Sequence, residues 1–149
     1  MAPPNYESIL AQWRYPGLME AENAVAKRWV REKGAAYDSI DFNVPIGPQP
    51  AIESDLTDDE RKWADFLYAT KIDILAKQEG RATIIEVKRR LTKSAMGQLA
   101  HYAYWYQKQH PDEPAPIVRA IAEWADPGIA ESTLANGIDV ELYGEPTTA

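Results

Sequence analysis

Apolar and polar residues alternate with period two in two neighbouring stretches, Lys71-Ile72-Asp73-Ile74-Leu75 and Ile84-Ile85-Glu86-Val87-Lys88. That is the pattern of β-strands. Ile72 and Ile74 are expected on one face with Asp73 on the other. Ile85 and Val87 are likewise expected to share a face, opposite Glu86 and Lys88. Gln78-Glu79-Gly80-Arg81 between them suits a hairpin loop, with Gly80 supplying a positive φ. A loop of those four residues pairs Lys77 with Ala82 and sets Asp73 opposite Glu86. Cross-strand neighbours lie only ~5 Å apart, and like charges there are destabilising unless something compensates. A divalent cation would compensate them, with Lys88 beside it on the same face.

The rest of the pattern predicts helices and strands in alternation. Residues 5–13 read as a short helix capped by Asn5, and residues 18–33 as a longer one stopped by Gly34. A strand is expected over 40–46, closed by Gly47-Pro48, followed by a proline-containing loop over 47–55. Thr57-Asp58-Asp59-Glu60 is a capping-box sequence opening a helix through Trp63, Phe66 and Leu67. After the two site strands come a helix over 93–109, a buried strand over 117–124, a short helix over 127–135 and a last strand over 138–143. The expectation is one α/β domain spanning 1–149, with a mixed central β-sheet flanked by helices, an N-terminal extension at 1–17 and a flexible tail at 144–149.

At 149 residues, 45% hydrophobic and 26% charged, the chain is long enough to bury a core without staples. No apolar run is long enough to span a membrane, and Met1-Ala2-Pro3-Pro4-Asn5 does not read as a signal peptide. The absence of cysteine excludes disulfides and thiolate metal sites and fits a reducing, cytoplasmic setting. A net charge of −7 argues against a protein that coats nucleic acid nonspecifically. The charge is unevenly spread, however. Arg81, Lys88, Arg89, Arg90, Lys93 and Lys108 fall in a segment where Glu86 is the only acid, so a local basic surface is expected beside the strands.

Two helices add chemistry. On a helical projection of residues 18–33, Leu18, Met19, Val25, Ala26, Trp29 and Val30 form one apolar arc. Glu22 falls at its centre, where an ionised carboxylate needs a partner or a metal. A helix-end carboxylate that snorkels, or meets a buried arginine, accounts for Glu22 equally well on this residue alone. In the helix over 93–109, Gln98 and Tyr102 stack four residues apart on one face, and an amide on a packed face needs hydrogen-bond partners. Trp105 and Tyr106 read as core, and His101 and His110 as surface histidines.

Asp73, then Glu86-Val87-Lys88, then Gln98-Leu99-Ala100-His101-Tyr102 together resemble the PD-(D/E)XK nuclease superfamily. Within it they are most similar to the RecB-like, lambda-exonuclease-like branch, which also carries a glutamate in its first helix. The likeness covers residues 18–106, departs from the family pattern at Ile72, which stands where a proline is nominal, and lacks the iron–sulfur cysteines of one subgroup.

That resemblance implies a restriction-endonuclease-like core and an Mg²⁺- or Mn²⁺-dependent deoxyribonuclease, exonuclease-like in action, of the kind that serves DNA recombination or repair. It assigns Asp73, Glu86 and the Val87 carbonyl to the metal, with Glu22 holding a water of the metal's shell or completing it. Lys88 would position the attacking water and offset phosphate charge, Gln98 would orient the nucleophile or substrate end, and Tyr102 would support it. Arg89, Arg90 and Lys93 become phosphate contacts, although a solvated basic turn describes them as well. DNA is the implied partner, with a homo-oligomer or a protein partner to help hold a duplex, and a phage or mobile element is the implied context. A nuclease fold used only for binding or assembly is the competing expectation.

Overall fold

Uninterrupted burial from Ala82 to Val87 places one strand at the centre of the molecule, because only a strand covered on both faces keeps every successive side chain from water. The computed structural model describes residues 1–48, 56–62 and 70–144. Its elements run α1 (Tyr6–Ala11), α2 (Glu20–Lys33), a 3₁₀ turn (Gly34–Ala36), β1 (Ser39–Pro45), β2 (Lys71–Gln78), β3 (Arg81–Leu91), α3 (Ser94–Gln109), β4 (Ile117–Ala125), α4 (Ile129–Ala135) and β5 (Asp139–Leu142). The five strands lie in sequence order. β1–β2 and β2–β3 pair antiparallel, whereas β3–β4 and β4–β5 pair parallel. Each parallel pair needs a crossover, and α3 and α4 supply the two. The expected mixed α/β sheet with flanking helices is therefore the architecture observed.

Helices cover both faces. On one, Trp29, Val30, Ala26 and Val25 of α2 pack with Ile9, Tyr15, Ile74, Ile85, Val87 and Ile121. On the other, Leu99, Tyr102 and Tyr106 of α3 pack with Leu75, Ile84, Ala120 and Ala122. Each fully buried aliphatic side chain in these clusters contributes about 1.5–3 kcal/mol. Among the described residues no helix is long and apolar enough to cross a membrane.

Several expectations change in detail. The stretch read as an extension, 1–17, contributes Ile9 and Tyr15 to the core, and the Tyr6 hydroxyl donates to the Val30 carbonyl at 2.8 Å. Asn5 occupies the N-cap position of α1, but its side chain makes no capping bond. Met19, placed in the apolar arc, is 71% exposed because it precedes the first turn of α2. Gly34 is not a left-handed stop: its φ is −64°. Space is what favours glycine there, since a Cβ would lie a tight 3.1 Å from side-chain atoms of both Ile40 and Tyr6. His110 is half-buried, its ring stacked on Tyr106 at 4.1 Å, so only His101 is a surface histidine. Thr57 does cap the helical residues 58–62, accepting from the Glu60 N–H at 3.2 Å. Trp63, Phe66, Leu67, most of the 47–55 loop and the 145–149 tail lie outside the described residues.

Candidate active site

The β2–β3 hairpin sets the site. Gln78 pairs with Arg81, so the turn itself is Glu79-Gly80, two residues rather than four. Both have positive φ, 50° and 80°, the conformation of a two-residue turn matched to strand twist. The register is the expected one, from Lys77↔Ala82 to Ile74↔Ile85, and its next step brings Asp73 to Glu86. There the ladder gives way to a side chain, as Asp73 Oδ2 accepts the Val87 N–H at 2.8 Å.

A second irregularity lies across β2. β1 pairs Phe42 with Ile74 and Val44 with Ile72, but skips Asn43 and Asp73, and Asn43 has a φ of 57°. On one side of this break Phe42 and Ile74 join the α2 cluster. On the other, Val44 and Ile72 join the α3 cluster. Ile72 and Ile74 therefore do not share a face as alternation predicts. Asp73 is the pivot between them. Gly17 packs so closely on Asn43 that a Cβ there would be 2.6 Å from its Oδ1. Asn tolerates the left-handed region and a β-branched residue does not. Replacing Asn43 with Val should therefore cost about 1–2 kcal/mol in urea unfolding, while Asn43→Gly should stay within a few tenths of wild type. Equal stability of the Val variant would show that the kink stores no conformational requirement.

Glu86 is only 3% exposed. One oxygen is 3.2 Å from Lys88 Nζ, and Oε2 is buried without a hydrogen-bond partner. Burial, then the Asp73 charge, pushes the Glu86 carboxyl up to about 8, with Lys88 pulling the other way. Asp73 rises to about 6, chiefly through burial. The Val87 N–H opposes that rise and the Glu22 charge adds to it. A buried carboxylate beside a half-buried one resists ionising together with it unless a counter-charge is present.

α3 completes this face. Tyr102 is buried, and its hydroxyl is held well above the ordinary tyrosine range by burial and by the neighbouring Glu86 and Asp73 charges. Gln98 also neighbours that hydroxyl, and its own Oε1 is buried without a partner. The structure thus brings Asp73, Glu86, Lys88, Gln98 and Tyr102 together.

Other expected site residues are placed differently. Glu22 is near enough to act on Asp73, yet its carboxylate accepts the Met19 N–H at 3.1 Å and caps α2. The expected basic surface is partly neutralised by residues from beyond the segment. Arg90 forms a two-pronged pair with Asp126 at 2.6 and 2.9 Å, and Arg89 lies 3.6 Å from Glu123. Lys93 stands exposed at the start of α3.

The donor set suits a small divalent cation. All its candidate ligands are oxygens, the Glu86 Oε2 has no donor, and Lys88 is the one cation set against the two carboxylates. Among the described residues no group of three or more His, Asp or Glu side chains forms a metal cluster. Mg²⁺ needs only one or two carboxylates, because it keeps several waters and takes phosphate oxygens.

No protein-family model and no curated protein matches the chain. Among solved structures, a protein of unknown function, AF1548, superimposes with a TM-score of 0.50 at 12% identity, covering 86% of this chain and 59% of its own. A repair endonuclease from Pyrococcus abyssi gives 0.48 at 14% identity, over 83% of this chain and 47% of its own. An EndoMS–dsDNA2 complex gives 0.48 at 15% identity, over 92% of this chain and 50% of the EndoMS chain. This chain thus spans about half the length of the structures it resembles. At such identities the likeness is one of fold.

Proposed function

We propose that this protein is an Mg²⁺- or Mn²⁺-dependent nuclease that hydrolyses DNA phosphodiester bonds, exonuclease-like and of the RecB-like branch. The observation that carries this reading is the pairing of half-buried Asp73 with buried Glu86, with Lys88 at 3.2 Å from Glu86 and one Glu86 oxygen left unpartnered. Asp73 and Glu86 would hold the cation, joined by the Val87 carbonyl. The cation, when bound, supplies Lewis-acid polarisation of the phosphate. Lys88 offsets charge that builds on the phosphate and orients the attacking water. Gln98, with its free buried oxygen, positions that water or the strand end, and Tyr102 fixes Gln98 and Glu86. Exposed pairs such as Arg89–Glu123 are worth about 0–1 kcal/mol, so a phosphate can displace the acid.

Incubation with linear and circular DNA, in Mg²⁺, Mn²⁺ or EDTA, tests the reading. Cleavage is expected only with metal, faster on linear DNA, and lost in Asp73→Ala. No cleavage of either form by wild type would defeat it. One observation favours a non-catalytic binding or assembly module instead: the Glu22 carboxylate is turned to the Met19 N–H and caps its own helix. Calorimetric titration with Mn²⁺ separates the two, since binding abolished by Glu86→Ala belongs to the enzyme and absence of binding to the module.

A further inference from the structure

Trp13 is 91% exposed, yet the chain around it is held firmly. The Asn23 amide donates to the Trp13 carbonyl at 3.2 Å, and its Oδ1 accepts the Tyr15 N–H at 2.8 Å. Tyr15 itself is buried and stacks on Phe42 at 4.1 Å. Arg14 donates twice to the Leu18 carbonyl. The indole is therefore presented outward from a fixed backbone, so little ordering entropy remains to be lost when something lies against it.

A groove of about 530 Å³ bordered by Trp13, Arg14 and Lys27 shares Glu20 and Ala24 with a second, of about 660 Å³, that reaches Met19, Glu22 and Arg89. Glu22 lies within electrostatic reach of Asp73, whereas Arg89 projects from β3 to the face opposite Lys88. The grooves thus form one track from the indole to Glu22 and Arg89, the side from which α2 approaches Asp73. Its cations are not held in close ion pairs. Arg14 and Lys27 bond the neutral carbonyls of Leu18 and Gln12, and Arg89 has only a loose, exposed acid partner. The track's acids sit in the first turn of α2, where Glu22 is turned to the Met19 N–H.

We propose that Trp13 is a stacking platform for an unpaired base of a single nucleic-acid strand, whose phosphates pass Arg14, Lys27 and Arg89 toward Asp73 and Glu86. This deepens the nuclease reading and rests on it: the substrate is a single-stranded or frayed end. An indole face accepts any base, so the platform selects strandedness and not sequence.

The test is fluorescence anisotropy with an end-labelled single-stranded oligonucleotide and a blunt duplex, in EDTA so that hydrolysis is off. Wild type, Trp13→Ala, Trp13→Phe and the double variant Arg14→Gln/Lys27→Gln are compared. Trp13→Ala should weaken single-strand binding about tenfold or more, and Trp13→Phe should restore most of it. The double variant should lower the salt slope by about 0.7 for each phosphate that is no longer neutralised. Thermal unfolding of Trp13→Ala should match wild type, because the side chain supports no core.

Unchanged single-strand binding by Trp13→Ala overturns the platform. So does an equal loss on the blunt duplex, or a Trp13-dependent change of mass in light scattering without an effect on oligonucleotide. If wild type also cleaves DNA with Mn²⁺, those outcomes leave the nuclease reading intact. If Trp13→Ala loses single-strand binding but wild type cleaves nothing, the platform stands and the nuclease reading falls.

Discussion

Glu86→Gln should make the metal-free protein more stable while removing its activity. The side chain is 3% exposed, its Oε2 has no hydrogen-bond donor, and its neighbour is a second carboxylate. A glutamine of the same shape relieves the buried like charge. Its carbonyl can still face Lys88, and its amide can donate to Asp73. Lys88 is 25% exposed and stays hydrated when its charge partner is removed. Near pH 8 the gain should be about 1–3 kcal/mol in urea unfolding with EDTA. Metal-dependent cleavage should fall about 10²–10³-fold or more, the range that removal of one electrostatic group costs at such a site. A structural role for Glu86 predicts the opposite pair of results: lower stability and cleavage that follows only the folded fraction. Gain of stability with loss of activity is the mark of a site that carries strain for function.

Much of this arrangement was legible from local pattern. The hairpin register follows from a loop centred on Glu79-Gly80, read as four residues where the turn is two; both loops share one register, so Asp73 and Glu86 could be placed together from the sequence. The Gln98–Tyr102 pair follows from helical spacing. Burial of Glu86 was less visible, since two-faced coverage of β3 depends on α2 and α3 packing on opposite sides of one strand.

What escaped the sequence depended on position along an axis or on distant chain. A helical projection gives the angle of Glu22 but not its place in the first turn, where unsatisfied N–H groups draw carboxylates. Arg89 and Arg90 read as a basic run because Glu123 and Asp126 reach them only through the parallel β3–β4 pairing. Asn43 carries no signal beyond its tolerance of positive φ, and the face switch it permits at Asp73 appears only once β1 is paired to β2.

The stability of the metal-free protein should fall as pH rises from about 4 to about 8, and a divalent cation should reverse the fall. Asp73 moves from 3.8 to about 6 and Glu86 from 4.5 to about 8 on folding. In that window the folded chain holds more protons than the unfolded chain, so the slope of stability with pH is negative. The contribution is fully present below the unfolded values and lost once pH passes the folded ones. For two linked carboxyls the change is on the order of 5 kcal/mol, shared by the pair as one titrating unit. A cation held as proposed would bind the ionised pair and displace its protons, so its apparent affinity should rise through the same window. The midpoint shift given by saturating Mn²⁺ should therefore be small at about pH 5 and several-fold larger at about pH 8.5. Thermal unfolding across this range, with EDTA and with Mn²⁺, measures both slopes in one protein. Asp73→Asn/Glu86→Gln should flatten both, since it removes the titrating groups and the ligands together. A metal-dependent shift of equal size at both pH values, or one that survives the double substitution, would place the cation elsewhere than between β2 and β3.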